Sequence, residues 1–252
     1  MNTSPFYSTM SVAELQEKAR KAASQARKKG KKYEPVIAQT RGSQVCTSWW
    51  GKAWCDNLER YADYDNRLPR GKRYVRNGAL LDLKIEKGLV RAKVQGSRSR
   101  PYSVEIEIDP LSKEKVQSIM DSCSRKVSSL EALANGEFPK EMEEVITEKG
   151  GLFPDPSQIH FDCSCPDWAY LCKHVACVMY GIGVKLDENP FWFFELRGID
   201  TAMLLKKTVE NKVAALLENA QKPSNRILSQ DQVQSLFSCD ISFEEAESEE
   251  SI

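Results

Sequence analysis

Residues 161–183 read FDCSCPDWAYLCKHVACVMYGIG and place four metal-ligand side chains within twelve positions. Cys163 and Cys165 are two positions apart. After six intervening residues, Cys172 and His174 are again two apart. Alternate residues of an extended strand point to the same side, so both thiolates of the first pair face together. Residues two apart on a helix do not face each other. The second pair therefore converges only where the chain enters a helix, with His174 in the first turn.

Three thiolates and one imidazole make a closed Cys₃His set, which is typical of a structural zinc and leaves no coordination position for a substrate. The alternatives are buried free thiols and an iron–sulfur cluster that recruits Cys177. The imidazole of His174 favours zinc, and Cys177 is expected to fill the core beneath the site. His160, in the short strand 159–161, is expected to be packed or exposed rather than a fifth ligand. We expect one structural Zn²⁺ that contributes roughly 10 kcal/mol or more of folding free energy.

The composition permits an ordinary globular core, with 41% apolar and 29% charged residues in 252. The 36 basic and 36 acidic residues cancel, but residues 1–110 hold 22 Lys/Arg against 12 Asp/Glu. The neutral total therefore still permits an anionic partner at this part of the chain. No run of 18 apolar residues and no signal-peptide pattern is present, which predicts a cytoplasmic protein whose thiols bind metal rather than pair.

Two helices are predicted before residue 65. Ser11 and Glu14 have the spacing of a capping box, and a helix over 12–29 follows with a thin apolar stripe and a strongly basic opposite face. This segment is either a solvated tail or an arm that lies on phosphate. In the second helix, within 47–62, aromatic residues recur at helical spacing and are expected to anchor the core rather than to stack on bases.

Two basic segments are candidates for contact with nucleic acid. The first, at 67–76, contains Pro69 and Gly71, which predict a break in regular structure. The second is the loop at 96–101. The candidate nucleic-acid-binding residues of the two segments are Arg67, Arg70, Lys72, Arg73, Arg76, Arg98 and Arg100. The alternative is that these segments are ordinary solvated turns.

Segments 81–85, 90–94 and 102–108 alternate apolar and polar residues, as an antiparallel sheet with one buried face does. The apolar pattern of residues 111–149 predicts helices. The glycines and prolines at 150–156 indicate a domain boundary. The predicted fold class is therefore α+β, an N-terminal helix and antiparallel sheet with helices, followed by a zinc finger and C-terminal helices. The predicted domains are a basic helical arm at 1–41, an α+β domain at 42–150, the finger with C-terminal helices at 151–238 and an acidic disordered tail at 239–252.

The ligand spacing and several other segments resemble prokaryotic proteins with a SWIM zinc finger, over roughly residues 46–205. These segments are Cys163-x-Cys165-x6-Cys172-x-His174 with its apolar helix, Trp49–Trp54, Asn66–Gly71, Tyr74–Gly78, Gly96–Pro101 and Lys173–Ala176. The resemblance implies a ββα finger that binds zinc through those four ligands. It also implies binding to DNA or proteins, often beside a helicase-like ATPase.

Motifs of common enzyme classes are absent from the sequence, which has no GxxxxGK[ST], GxSxG or HExxH. A zinc deaminase needs a histidine with a nearby glutamate and a PCxxC motif, a context that neither histidine has. With His174 on the metal, only His160 is left as a histidine base. We expect a non-catalytic accessory protein that binds DNA or another nucleic acid, alongside a helicase-like ATPase. The alternative is a protein–protein adaptor without nucleic-acid contact.

Overall fold

The computed structural model describes residues 10–58, 60, 66–126, 138, 140–148 and 150–220. The predicted acidic tail at 239–252 and the preceding residues from 221 lie outside these ranges. In chain order the elements are α1 (Val12–Lys28), α2 (Trp49–Leu58), α3 (Arg67–Arg76), β1 (Leu80–Glu86), β2 (Leu89–Val94), β3 (Tyr102–Ile108), α4 (Lys113–Lys126), α5 (Glu143–Thr147), β4 (Ile159–Cys163), α6 (Lys173–Glu188), α7 (Trp192–Leu196) and α8 (Thr201–Ala220). The fold is mixed α+β, as predicted.

One antiparallel sheet with the strand order β1-β2-β3-β4 organises the molecule. The predicted three-stranded meander is confirmed as β1–β3. The fourth strand joins the edge of β3, where Val104 pairs with Cys163 and Ile108 pairs with Ile159. Chain segments on either side of the proposed boundary at 150 thus share one sheet. Strand β4, which ends at the first predicted ligand, forms its hydrogen bonds with β3.

A register irregularity between Leu80 and Asp82 divides the apolar residues of β1 between two hydrophobic clusters. Leu80 and Leu83 belong to the main core. Leu81 instead packs in a small cluster with Ala19 and Ala22 of α1. The single apolar face predicted for this strand is therefore wrong at Leu81, because an irregular register changes which side a residue faces.

Helix α1 begins at the predicted capping box. The amide of Glu14 donates to the Ser11 hydroxyl at 3.2 Å, and the amide of Ser11 donates to the Glu14 carboxylate at 2.8 Å. On the inner face, Leu15, Ala19, Ala22 and Ala26 are all buried. Of the two alternatives for this segment, the solvated tail is therefore wrong over this helix, which packs against the rest of the molecule.

Helix α6 lies at the centre of the core and contacts α2, α3, α7 and all four strands. Eleven of its residues are buried. The predicted aromatic anchors of α2 pack on it, with the Trp54 indole buried and donating to the Met179 carbonyl at 2.9 Å. The residues that follow the predicted metal ligands therefore form the main packing element of the fold.

The predicted break in regular structure at 67–76 is wrong, because these residues form α3. Pro69 lies in the first helical turn, where a missing N–H costs no helical hydrogen bond. Gly71 faces α6, and a methyl group at this position would lie 2.6 Å from Cβ of Ala176. Both residue types that suggested a loop thus have a role in this helix, one at its start and one at a close helix–helix approach.

The described residues up to Val209 belong to one compact unit, and those from Glu210 onward belong to a second. Of the second unit the structure describes the end of α8. None of the described helices is long and apolar enough to cross a membrane.

Candidate metal centre

Three structural elements bring the four predicted ligands together. Cys163 is the last residue of β4, and Cys165 follows in the turn after it. Cys172 is the N-cap of α6 with extended backbone angles, and its sulfur accepts the Val175 amide at 3.5 Å. His174 lies in the first turn of the helix. This is the strand-to-helix arrangement that the spacing predicted.

The donor atoms of these four residues all lie within 4.8 Å of one another. Nδ1 of His174 lies 3.9 Å from the sulfurs of both Cys163 and Cys172. Zn–S bonds of about 2.3 Å and a Zn–N bond of about 2.0 Å in tetrahedral geometry would place nitrogen and sulfur roughly 3.6 Å apart. The cluster is therefore of the right size for one metal ion.

Burial prepares these side chains for a metal. Desolvation lowers the pKa of His174, which keeps its imidazole neutral and its lone pair available. Hydrogen bonding between the sulfurs raises the pKa of Cys163 and lowers that of Cys165. A bound cation would stabilise all three thiolates.

Two tyrosines and a glycine enclose the imidazole of His174. The Tyr102 ring lies 4.3 Å away between centroids with an interplanar angle of 31°, and Tyr74 meets it edge-on at 5.7 Å. Nε2 of His174 is buried without a hydrogen-bond partner among the described residues. A methyl group on Gly96 would lie 2.8 Å from this atom. The enclosure thus turns Nδ1, and not Nε2, toward the sulfurs.

The basic loop at 96–101 is fixed next to this enclosure. The buried side chain of Gln95 donates to the carbonyls of Gly96 and Arg98 at 3.0 and 2.7 Å. The guanidinium of Arg98 then lies 5.4 Å from the centroid of the Tyr102 ring. Arg98, Tyr102 and His174 therefore form a stack from the surface to the metal ligand. Sequence reasoning missed Tyr102, because its contact with His174 joins residues far apart in the chain.

Among the candidate nucleic-acid residues, those of α3 are half-buried and several have partners within the protein. Arg67 forms an ion pair with Asp167 at 3.0 Å. Arg73 and Arg76 donate to the carbonyls of Met10 and Gln44 at 2.6 and 2.7 Å, and the Lys72 ammonium lies 5.3 Å from the centroid of the Tyr180 ring. Arg70 is half-buried as well. Helix α3 thus uses much of its charge to hold neighbouring segments.

The two arginines of the second segment are exposed. Arg98 and Arg100 lie in the loop between β2 and β3, in which all four residues from 97 to 100 face solvent. The ammonium of Lys18 in α1 donates to the Ser97 carbonyl of this loop at 2.6 Å. The loop is therefore next to the basic helix.

The remaining histidine and the nearby cysteine behave as expected. His160 is more than half exposed and lies 3.2 Å from the Asp109 carboxylate, outside the four-residue metal cluster. Cys177 is fully buried in the core. Desolvation raises the pKa of its thiol, so it remains protonated.

Comparison with known proteins finds a curated relative but no matching family model. The relative is the "Uncharacterized protein Rv2102" of Mycobacterium tuberculosis (strain ATCC 25618 / H37Rv), 36% identical over 168 residues. The match covers 66% of this chain and 60% of the relative, so the chain spans less than two thirds of that protein's length. No solved structure matches. The relative's name gives no activity, substrate or partner.

Proposed function

We propose that this chain is a SWIM-type, zinc-stabilised module that binds nucleic acid and has no catalytic role. A Cys₃His donor set of tetrahedral dimensions supports zinc as the metal, held by Cys163, Cys165, Cys172 and His174. A site closed by four protein ligands leaves no position for a substrate, so the metal would serve folding. On the SWIM resemblance, β4 would correspond to a finger strand and α6 to the finger helix.

The hydrogen bond from Lys18 to Ser97 carries the nucleic-acid proposal, because it joins the two basic surfaces that remain exposed. Between Glu17 and Glu34 the chain has eight lysines and arginines and no acid. Most of these cations face solvent, since the alanines of α1 occupy its inner face. Together with Arg98 and Arg100 they form a positive surface of the kind that contacts phosphates.

Zinc would position this surface rather than supply its charge. Zn²⁺ with three thiolates has a net charge of −1, so the centre itself does not attract phosphate. The stack of His174, Tyr102 and Arg98 transmits the position of the metal ligand to the basic loop. Loss of the metal should therefore weaken nucleic-acid binding even at unchanged protein charge.

The test is equilibrium binding of the zinc-loaded chain to duplex DNA, single-stranded DNA and RNA across a salt series. Replacing Arg98, Arg100, Lys28 and Lys31 by alanine should reduce the log–log salt slope by about one per contacting cation. The matched control is Arg91→Ala, which removes an exposed arginine already paired with Glu86 and Glu105. Equal slopes in both variants, or no binding by the zinc-loaded wild type at low salt, would refute the proposal.

A second candidate function, a protein adaptor, is supported by exposed aromatic residues in the metal loop. Trp168 is 80% exposed and Tyr170 is 49% exposed, between ligands Cys165 and Cys172. Large exposed aromatic side chains are common at protein interfaces.

A helicase-like ATPase is the partner class that the SWIM resemblance implies. A nuclease-treated pull-down should retain this partner with wild type and lose it with Trp168→Ala at unchanged metal content. Partners that disappear on nuclease treatment of the wild type would instead be bridged by nucleic acid.

A further inference from the structure

A second pair of cysteines lies away from the metal cluster. The sulfur of Cys46 is 3.4 Å from that of Cys55, which lies on α2. A disulfide bond needs a sulfur separation of about 2.05 Å, so the two atoms would have to approach by only about 1.4 Å. Both residues are free thiols in the structure.

The segment that carries Cys46 is held rigidly in front of α2. The Asp187 carboxylate accepts the Thr47 amide and hydroxyl at 2.6 and 2.9 Å, and the Ser48 amide at 3.2 Å. The Ser48 hydroxyl donates to the same carboxylate. Several bonds to one acidic side chain thus fix the backbone next to Cys46, which limits its approach to Cys55 to side-chain motion.

A glycine of α6 leaves the space that both sulfurs occupy. A methyl group on Gly183 would lie 2.8 Å from the sulfur of Cys46 and 3.2 Å from that of Cys55. Any larger residue at this position would displace one of the thiols. The contact between the sulfurs therefore depends on three elements: the segment before α2, α2 itself and α6.

The pair is open to small molecules on one side. A surface depression of about 220 Å³ is lined by both cysteines together with Lys52, Lys72 and Asp56. Cys46 is only 2% exposed, whereas Cys55 is half-buried. The two cysteines thus differ in access, and Cys55 is the more exposed of the pair.

We propose that Cys46 and Cys55 form a dithiol site that reacts with low-molecular-weight disulfides and closes to an intramolecular disulfide. Cys55, as the thiolate, attacks one sulfur of the external disulfide RSSR, forms a mixed disulfide and expels RS⁻. The sulfur of Cys46 then attacks that of Cys55 in the mixed disulfide, and the proton of Cys46 passes to the second RS⁻ as this group leaves. In total the two cysteines lose two electrons and two protons, and the external disulfide gains them as two thiols.

The arrangement assigns a different role to each cysteine. Cys55 is the attacking thiol, because it is the more exposed of the two cysteines that line the depression. Cys46 is the resolving thiol, because it is shielded from solvent and already in contact with Cys55. The site shares no residue with the proposed nucleic-acid surface. The dithiol proposal therefore does not depend on the proposed function.

The test uses the zinc-loaded full chain and oxidised glutathione as the probe. After incubation, free thiols are alkylated and the chain is digested without reduction for mass spectrometry. Wild type should yield one linked peptide joining Cys46 and Cys55, lighter by two hydrogen atoms than the separate peptides. Cys46→Ser should instead accumulate a glutathione adduct on Cys55, and Cys55→Ser should leave Cys46 unmodified.

Metal content and circular dichroism confirm that each variant is folded. If a variant does not fold, the wild-type digest still shows whether Cys46 and Cys55 form a disulfide. A urea-unfolded wild-type sample shows that the oxidant can react with every cysteine. Alkylated Cys46 and Cys55 in the native digest, together with linked cysteines in the unfolded one, would overturn the proposal. An adduct on Cys46 rather than Cys55 would overturn the assignment of roles.

Discussion

Nη2 of Arg67 lies 3.0 Å from Oδ1 of Asp167, in an ion pair whose side chains are only 13% and 15% exposed. Asp167 belongs to the metal loop, two residues after Cys165, and the same oxygen accepts the Ala169 amide at 3.4 Å. Arg67 opens α3. The pair therefore fastens the start of one core helix to the loop that carries the ligands, and the arginine supports the metal site from outside.

Arg67→Ala should destabilise the zinc-loaded chain by about 2–4 kcal/mol, because it leaves a largely buried carboxylate without its cation. Zinc affinity, measured by competition with a chromophoric chelator, should fall in parallel with the unfolding midpoint in urea. Arg91→Ala is the matched control, since that arginine is half exposed in its ion pairs and its loss should cost less than about 1 kcal/mol. Equal effects from the two variants would contradict a supporting role for Arg67.

Removal of the metal should loosen the core as well as the metal loop. The ligands Cys172 and His174 open α6, the main packing element, and a structural zinc contributes about 10 kcal/mol or more. Chelation, or the change Cys172→Ser, should therefore abolish cooperative thermal unfolding in calorimetry. Cys177→Ala, on the same helix, should retain one zinc per chain and cost only about 1 kcal/mol. A chelated protein that still unfolds cooperatively at the same temperature would refute this expectation.

Gly71→Ala should destabilise the fold although alanine favours helix. The gain in helix propensity is about 1 kcal/mol, but the new methyl group would lie 2.6 Å from Cβ and 2.9 Å from the carbonyl carbon of Ala176. Since backbone cannot move aside cheaply, we expect a net loss of about 1–3 kcal/mol in urea unfolding. Combining the change with Ala176→Gly should recover part of it. An unchanged midpoint for Gly71→Ala would mean that α3 and α6 separate without cost.

The first turn of α1 should depend on pH through Glu14. Hydrogen bonds from the amide and the hydroxyl of Ser11 hold the pKa of this carboxyl below its ordinary value of 4.5. The stabilisation is present above pH 4.5 and is lost as the pH falls through the lowered value in the folded chain. A titration of the Glu14 side chain followed by NMR should show this shift. Ser11→Ala should return the pKa toward 4.5, and identical titrations in the two proteins would contradict the capping box.

Local patterns in the sequence predicted much of the fold correctly. The meander was predictable because alternation with a period of two is visible within each strand. The start of α1 was predictable because Ser11 and Glu14 interact within one turn. The metal cluster was predictable because its four ligands are close in the chain, and strand and helix geometry constrain where they point.

The features that the sequence did not predict depend on contacts between distant residues. Pro69 and Gly71 suggest a loop, and only the packing of α3 on α6 explains a glycine within a helix. The register irregularity at Leu80 has no local signature. The stack of His174 and Tyr102 likewise joins two segments that no pattern in either one connects. Tertiary packing thus overrode local propensity at the positions where predictions failed.

The order of strands has a consequence for the chain as it is being synthesised. Within the described part of the protein, the outer edge of β3 pairs only with β4, and β4 ends on the first candidate metal ligand, Cys163. A growing chain therefore exposes the β3 edge long before the residues that cover it leave the ribosome. Unpaired strand edges are templates for association with other chains. Under the proposed zinc dependence, chains made without the ion should keep this edge uncovered for longer and associate with one another, rather than persist as intact protein lacking only its ion.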